Sequence, residues 1–61
     1  MKSIGQKIKS LEGLLGTDDV TAWETGFIES IVGSTDGGAR TTHLTPKQVE
    51  KTDQIYDKHF V

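Results

Sequence analysis

The chain has 61 residues, 7 Lys plus Arg against 9 Asp plus Glu, a net charge of −2 and no cysteine. One domain at most fits that length, and a chain this short buries only about 60% of the surface its unfolded form exposes, so its stability is expected at ~3–5 kcal/mol. Disulfide stapling is excluded, a metal cluster has only the imidazoles of His43 and His59 to draw on, and the acidic balance argues against a dedicated phosphate-backbone binder.

No stretch approaches the roughly 18 apolar residues of a membrane span. The opening "MKSIGQKIKSLEGLLG" spaces its lysines through the apolar residues, so no secretory leader is expected. Together with the absence of Cys, this predicts a cytoplasmic protein that does not engage a membrane.

Three helices are predicted in one all-α domain, 1–61. Ser3-x-x-Gln6, Thr21-x-x-Glu24 and Thr45-x-x-Gln48 match the capping box, in which a hydroxyl accepts from the N3 amide and the N3 side chain reaches back to the cap amide. Each box stands just before an apolar pattern of helical period. The first helix is expected over about 4–15, where Ile4, Ile8, Leu11 and Leu15 form a narrow stripe that Gly16 ends. Gly5 and Gly13 each cost about 1 kcal/mol relative to Ala in a helix interior. Such a helix is marginal alone, so residues 1–16 form an amphipathic arm that docks on the rest of the chain, on a second copy or on a partner.

The second helix is expected over about 22–33, with Trp23, Phe27, Ile28, Ile31 and Val32 on one half and Ala22, Gly26, Glu29 and Ser30 opposite. Glu24 intrudes on the apolar half because its place at N3 lets it cap the helix and favour the positive dipole end. "GSTDGGARTTH" follows as a long, mobile Gly/Thr-rich loop. The third helix, about 46–60, starts most clearly, with Pro46 at N1 and Leu44 and Val49 as a hydrophobic staple. Its polar arc holds Lys47, Glu50, Lys51, Gln54, Asp57 and Lys58, and its inner arc Val49, Thr52, Ile55, Tyr56, His59 and Phe60. The last two helices are read as an antiparallel hairpin over 21–60. All four aromatics, Trp23, Phe27, Tyr56 and Phe60, are expected inside it.

No chemistry is predicted. The loop segment Gly33-Ser34-Thr35-Asp36-Gly37-Gly38 has the first glycines of a phosphate-binding loop, but Ala39 stands where its Lys is required and no buried strand precedes it. A metal site would need Asp36, Asp53 or Asp57 to join the two histidines, and His59 reads instead as a half-buried packing residue. A catalytic pocket has little room among three short helices, so the chain is expected to be no enzyme and to hold no cofactor or metal.

Two surfaces carry the functional expectations. Ile4, Ile8, Leu11 and Leu15 on the arm, and the line of small residues Ala22, Gly26 and Ser30, are the candidate interface for a partner protein or a homodimer. Lys2, Lys7, Lys9 and Arg40 are the candidate nucleic-acid contacts, since residues 1–11 carry three lysines and no acid, while the other four basic side chains and all nine acids lie in 12–61.

"WETGFIESI", a variable loop and "LTPKQVEKTDQIYDKHF" resemble a helical segment of small bacteriophage and prophage accessory proteins, some linked to DNA replication and recombination. The resemblance rests on Trp23, Glu24, Phe27, Ile28, Ser30, Ile31, Leu44, Thr45, Lys47, Gln48, Ile55, Tyr56 and Lys58, covers residues 21–60 and leaves the first helix outside. It implies a small phage-type accessory protein in the host cytoplasm; the amphipathic first helix, which cannot bury its Ile and Leu alone, adds the expectation of a helical protein-interaction module. A nucleic-acid-binding accessory factor is the alternative, and the resemblance implies no reaction.

Overall fold

The computed structural model describes residues 2–60 and consists of three helices: α1 (Ile4–Glu12), α2 (Ala22–Ser34) and α3 (Pro46–Phe60). All three capping boxes are closed. Ser3, Thr21 and Thr45 each accept a hydrogen bond from the amide three residues on, at 3.1–3.2 Å, and each donates its own amide to the Gln6, Glu24 or Gln48 side chain at 2.9 Å. Each box satisfies amide groups that have no carbonyl partner within the helix.

Helix α1 stops at Glu12, three residues before the expected end at 15. Beyond it the chain keeps turning more tightly: Leu14, Leu15 and Thr17 donate their amides three residues back, to Leu11, Glu12 and Leu14, until Gly16 breaks the run at φ +84°. Gly13 weakens the regular ladder here, and the tighter winding turns both Leu14 and Leu15 toward the core.

The core is aliphatic. Ile8, Leu11, Ile28, Ile31 and Ile55 are buried, with Leu14, Leu15, Val20, Phe27, Val32 and Tyr56 packed around the Leu11–Ile28–Ile55 cluster. Thr35 and Thr52 are also fully buried, and each hydroxyl donates to the carbonyl four residues back, Ile31 at 2.5 Å and Gln48 at 2.7 Å. Two polar side chains thereby enter the interior with their donors satisfied.

Helix α1 packs against both α3 and α2, and more extensively than those two pack against each other. The arm therefore docks within its own chain and forms the middle of the fold. The expectation that all four aromatics lie inside fails for two of them: Trp23 is 60% exposed and Phe60 44%. Both sit at helix ends, Trp23 in the first turn of α2 and Phe60 at the last residue of α3, beyond the single layer of Ile and Leu between the helices. Helical side chains lean toward the N-terminus, and Trp23 has no earlier turn of α2 to lean upon.

The segment after α2 is more ordered than the expected mobile loop. Gly37 donates its amide to the Val32 carbonyl at 2.9 Å, the six-to-one bond of a Schellman ending, with Asp36 in the left-handed region at φ 53°. Thr35 is the hub, since its hydroxyl accepts from the Gly38 amide and its carbonyl from the amides of Gly38 and Arg40. This turn brings Gly38 against Gly5 so closely that a Cβ on either would run into the other's carbonyl. Gly5 is a poor helix former that permits α1 and the turn to touch backbone to backbone.

Two glycine substitutions should therefore act in opposite directions under chemical denaturation. Gly26→Ala, whose Cβ would meet open space, should stabilise by about 1 kcal/mol, whereas Gly5→Ala should destabilise despite the same gain in helix propensity. Asp36→Gly should also stabilise, by up to about 1 kcal/mol, because it relieves a left-handed residue and removes a negative charge from a helix C-terminus.

Candidate interaction surface

The outward face of α3 is the most differentiated surface of the molecule. At 100° per residue, Lys47, Lys51 and Lys58 fall within about 40° of one another, and Glu50, Asp53 and Asp57 within about 60°, with Gln54 on the ridge between. The polar arc of α3 is thus two stripes of opposite sign. Each stripe borders a different neighbour. On the carboxylate side, Lys7 of α1 reaches Asp53 at 2.9 Å; on the lysine side, Lys58 reaches Glu24 of α2 at 3.2 Å.

Glu24 joins the cap, the packing and the charge pattern. Its carboxylate is buried, accepts from the Thr21 amide at 2.9 Å and from the Lys58 ammonium, and lies 3.5 Å from the His59 Nε2. That nitrogen is itself buried without a hydrogen-bond partner, and the His59 side chain is only 12% exposed, in keeping with a half-buried packing role. The Thr21 amide, and after it Lys58 and His59, hold the Glu24 carboxyl below its ordinary value of 4.5, against the opposing effect of burial. The Lys7 ammonium is shifted upward, chiefly by its hydrogen bond to Asp53.

A concavity follows each stripe. Trp23, Ile55, Lys51, Lys58 and Gln54 line a groove of about 290 Å³ between the start of α2 and α3. There the Trp23 ring stacks on Phe27 with centroids 5.8 Å apart, and the Lys51 ammonium stands 5.7 Å from the indole centroid, within reach of a cation–π attraction. On the other flank, Leu44, Pro46 and Val49 floor an open groove of about 560 Å³ rimmed by Glu50, Asp53 and Asp57. The staple that starts α3 is thus partly uncovered.

The predicted site residues divide. Ile8 and Leu11 are fully buried and belong to the core, Ile4 and Leu15 are half-buried, and Ala22, Gly26 and Ser30 are exposed, with nothing near the face of Gly26. Of the basic set, Lys2, Lys9 and Arg40 are exposed, whereas Lys7 is tied to Asp53 and lies 5.4 Å from the Tyr56 ring centroid. Gly33 and Ser34 fall inside α2, so the phosphate-loop segment closes a helix C-terminus, where carbonyls rather than amides face outward. Among the described residues, no three His, Asp or Glu side chains converge as a metal site would need. Sequence reading missed the exposed Trp23 and the uncovered staple. Periodicity placed Trp23 and Val49 on inward arcs, and the staple of Leu44 and Val49 was read as a helix start without its exposure.

Among the described residues, no helix is long and apolar enough to cross a membrane. Because the Glu24 carboxyl titrates lower when folded than when unfolded, its contribution is present above about pH 4.5 and is lost as pH falls through its folded value. Glu24→Gln, which keeps an oxygen for the Thr21 amide, should show a shallower loss of stability between pH 5 and pH 3 in denaturant titrations than the parent. An unchanged slope would remove Glu24 from the acid response. Compared with known proteins, the chain matches no family model, no curated protein and no solved structure.

Proposed function

We propose that this chain is a non-catalytic protein-interaction module of the phage accessory type, working in the cytoplasm through the surface formed by the start of α2 and the outward face of α3. The observation that carries the reading is Trp23. In a chain with one tryptophan and a small core, that side chain is left 60% exposed beside an open groove. Tryptophan concentrates in the energetic centres of interfaces because it brings a large apolar area with few torsions to order.

The candidate interface is accordingly narrowed. Ile8 and Leu11 are engaged inside the chain, and the surface left to a partner includes Ala22, Gly26 and Ser30 beside Trp23. Nucleic-acid contact remains the second reading, favoured by one observation: Lys2 and Lys9 line a single shallow depression with Gln6 and Ser10. Lys7, bound to Asp53, is withdrawn from it.

Trp23→Ala should leave the thermal unfolding midpoint within a few degrees of the parent's and abolish recovery of partner proteins when the tagged chain is purified from its native cells. A variant that unfolds would return Trp23 to the core and remove the reading. Recovery of nucleic acid in place of protein, with retention falling steeply as salt rises, would favour the second.

A further inference from the structure

We propose that the partner of the α3 face is a second copy of this chain, and that the two α3 helices lie side by side and parallel about a two-fold axis running along them. The inference rests on the interaction-module reading and deepens it by naming the occupant.

A two-fold interface must be complementary to itself, because each patch meets its own duplicate. Two helices set face to face have two ways to satisfy that symmetry. With the axis perpendicular to the helices they run antiparallel, and the Glu50–Asp53–Asp57 stripe faces its own copy, as does the lysine stripe. With the axis parallel to them, each carboxylate stripe faces Lys47, Lys51 and Lys58 of the other chain. The sign pattern on α3 therefore selects the parallel arrangement, since like charges set opposite one another repel while opposite ones attract and fix register.

The apolar features obey the same operation. Trp23 borders the lysine stripe at the level of Lys51, and the groove floored by Leu44, Pro46 and Val49 borders the carboxylate stripe at the level of Glu50 and Asp53. Parallel pairing preserves level along the helix and exchanges sides. It sets the exposed indole of each copy opposite the open, apolar-floored groove of the other. Two features that are unfavourable in the isolated chain, a wet tryptophan and an uncovered staple, would cover one another twice.

The test uses the whole chain and substitutions of exposed residues outside the Lys7–Asp53 and Lys58–Glu24 pairs. Sedimentation velocity should give about twice the 6.7 kDa chain mass, with dissociation growing as salt is added. Lys47→Glu with Lys51→Glu leaves Lys58 as the one cation on a predominantly acidic face, and Glu50→Lys with Asp57→Lys leaves Asp53 as the one anion on a predominantly basic face. Each double variant alone should be monomeric, and an equimolar mixture should restore a one-to-one dimer. Since the chain has no cysteine, Gln54→Cys supplies a single thiol on the ridge, which should oxidise to a covalent dimer in the parent background even if a charge variant fails to fold. A parent that stays monomeric to about 1 mM, the weak limit of useful affinity, would overturn the proposal. So would a dimer that both double variants leave intact, or a Gln54→Cys chain that forms no disulfide. A monomeric parent whose Trp23→Ala form still folds and loses a captured protein would overturn self-pairing alone and leave the module reading standing.

Discussion

The docking of α1 between the other two helices is the interaction on which the rest depends. Ile8 and Leu11 are completely buried, and Leu11 joins Ile28 of α2 and Ile55 of α3 in one cluster. Helices α2 and α3 touch one another less than either touches α1. Without α1, Ile28 of α2 and Ile55 of α3 would lose Leu11 from their cluster, and a helix of nine residues has no stability of its own to contribute apart from that contact. Burial is therefore mutual: the shortest of the three helices is the one that unites the fold.

Two close approaches hold α1 at its place. At one end, the absence of side chains at Gly5 and Gly38 lets the turn after α2 meet the α1 backbone, which is why Gly5 belongs in a helix it weakens. Along its length, the Lys7 ammonium reaches Asp53 on α3. The turn itself is shaped by Thr35, a buried residue whose hydroxyl both caps α2 and receives the Gly38 amide. Hydrogen bonds satisfied within a few residues allow this polar segment to sit against the core.

A core this thin has consequences for the surface. Among the described residues, five aliphatic side chains are buried, with other apolar side chains only partly covered around them, and the largest apolar ring, Trp23, is left at the margin beside a lysine. The charged residues of α3 divide into two stripes by their spacing, and one ion pair ties each stripe to a different neighbour, Asp53 to Lys7 of α1 and Lys58 to Glu24 of α2. What the fold leaves outside is thus patterned in both polarity and charge, and that pattern is the basis for the proposed binding surface.

Much of the architecture was legible in the residues alone. Ser3, Thr21 and Thr45 marked the three starts because a capping box is closed within four residues and owes nothing to distant contacts. The end of α3 and the inner positions Ile28, Ile31, Thr52 and Ile55 followed from periodicity. The turn after α2 was misread because Gly and Thr promise freedom until a tertiary neighbour, here Gly5, gives them a fixed place. Whether α1 stood free or docked, and whether Trp23 lay in or out, could not follow from a helical wheel, which gives the direction of a side chain on its own helix and not the extent of the layer it meets. Local hydrogen bonding determined where helices begin; only the assembled fold decided which apolar residues had water to escape and a neighbour within reach to escape to.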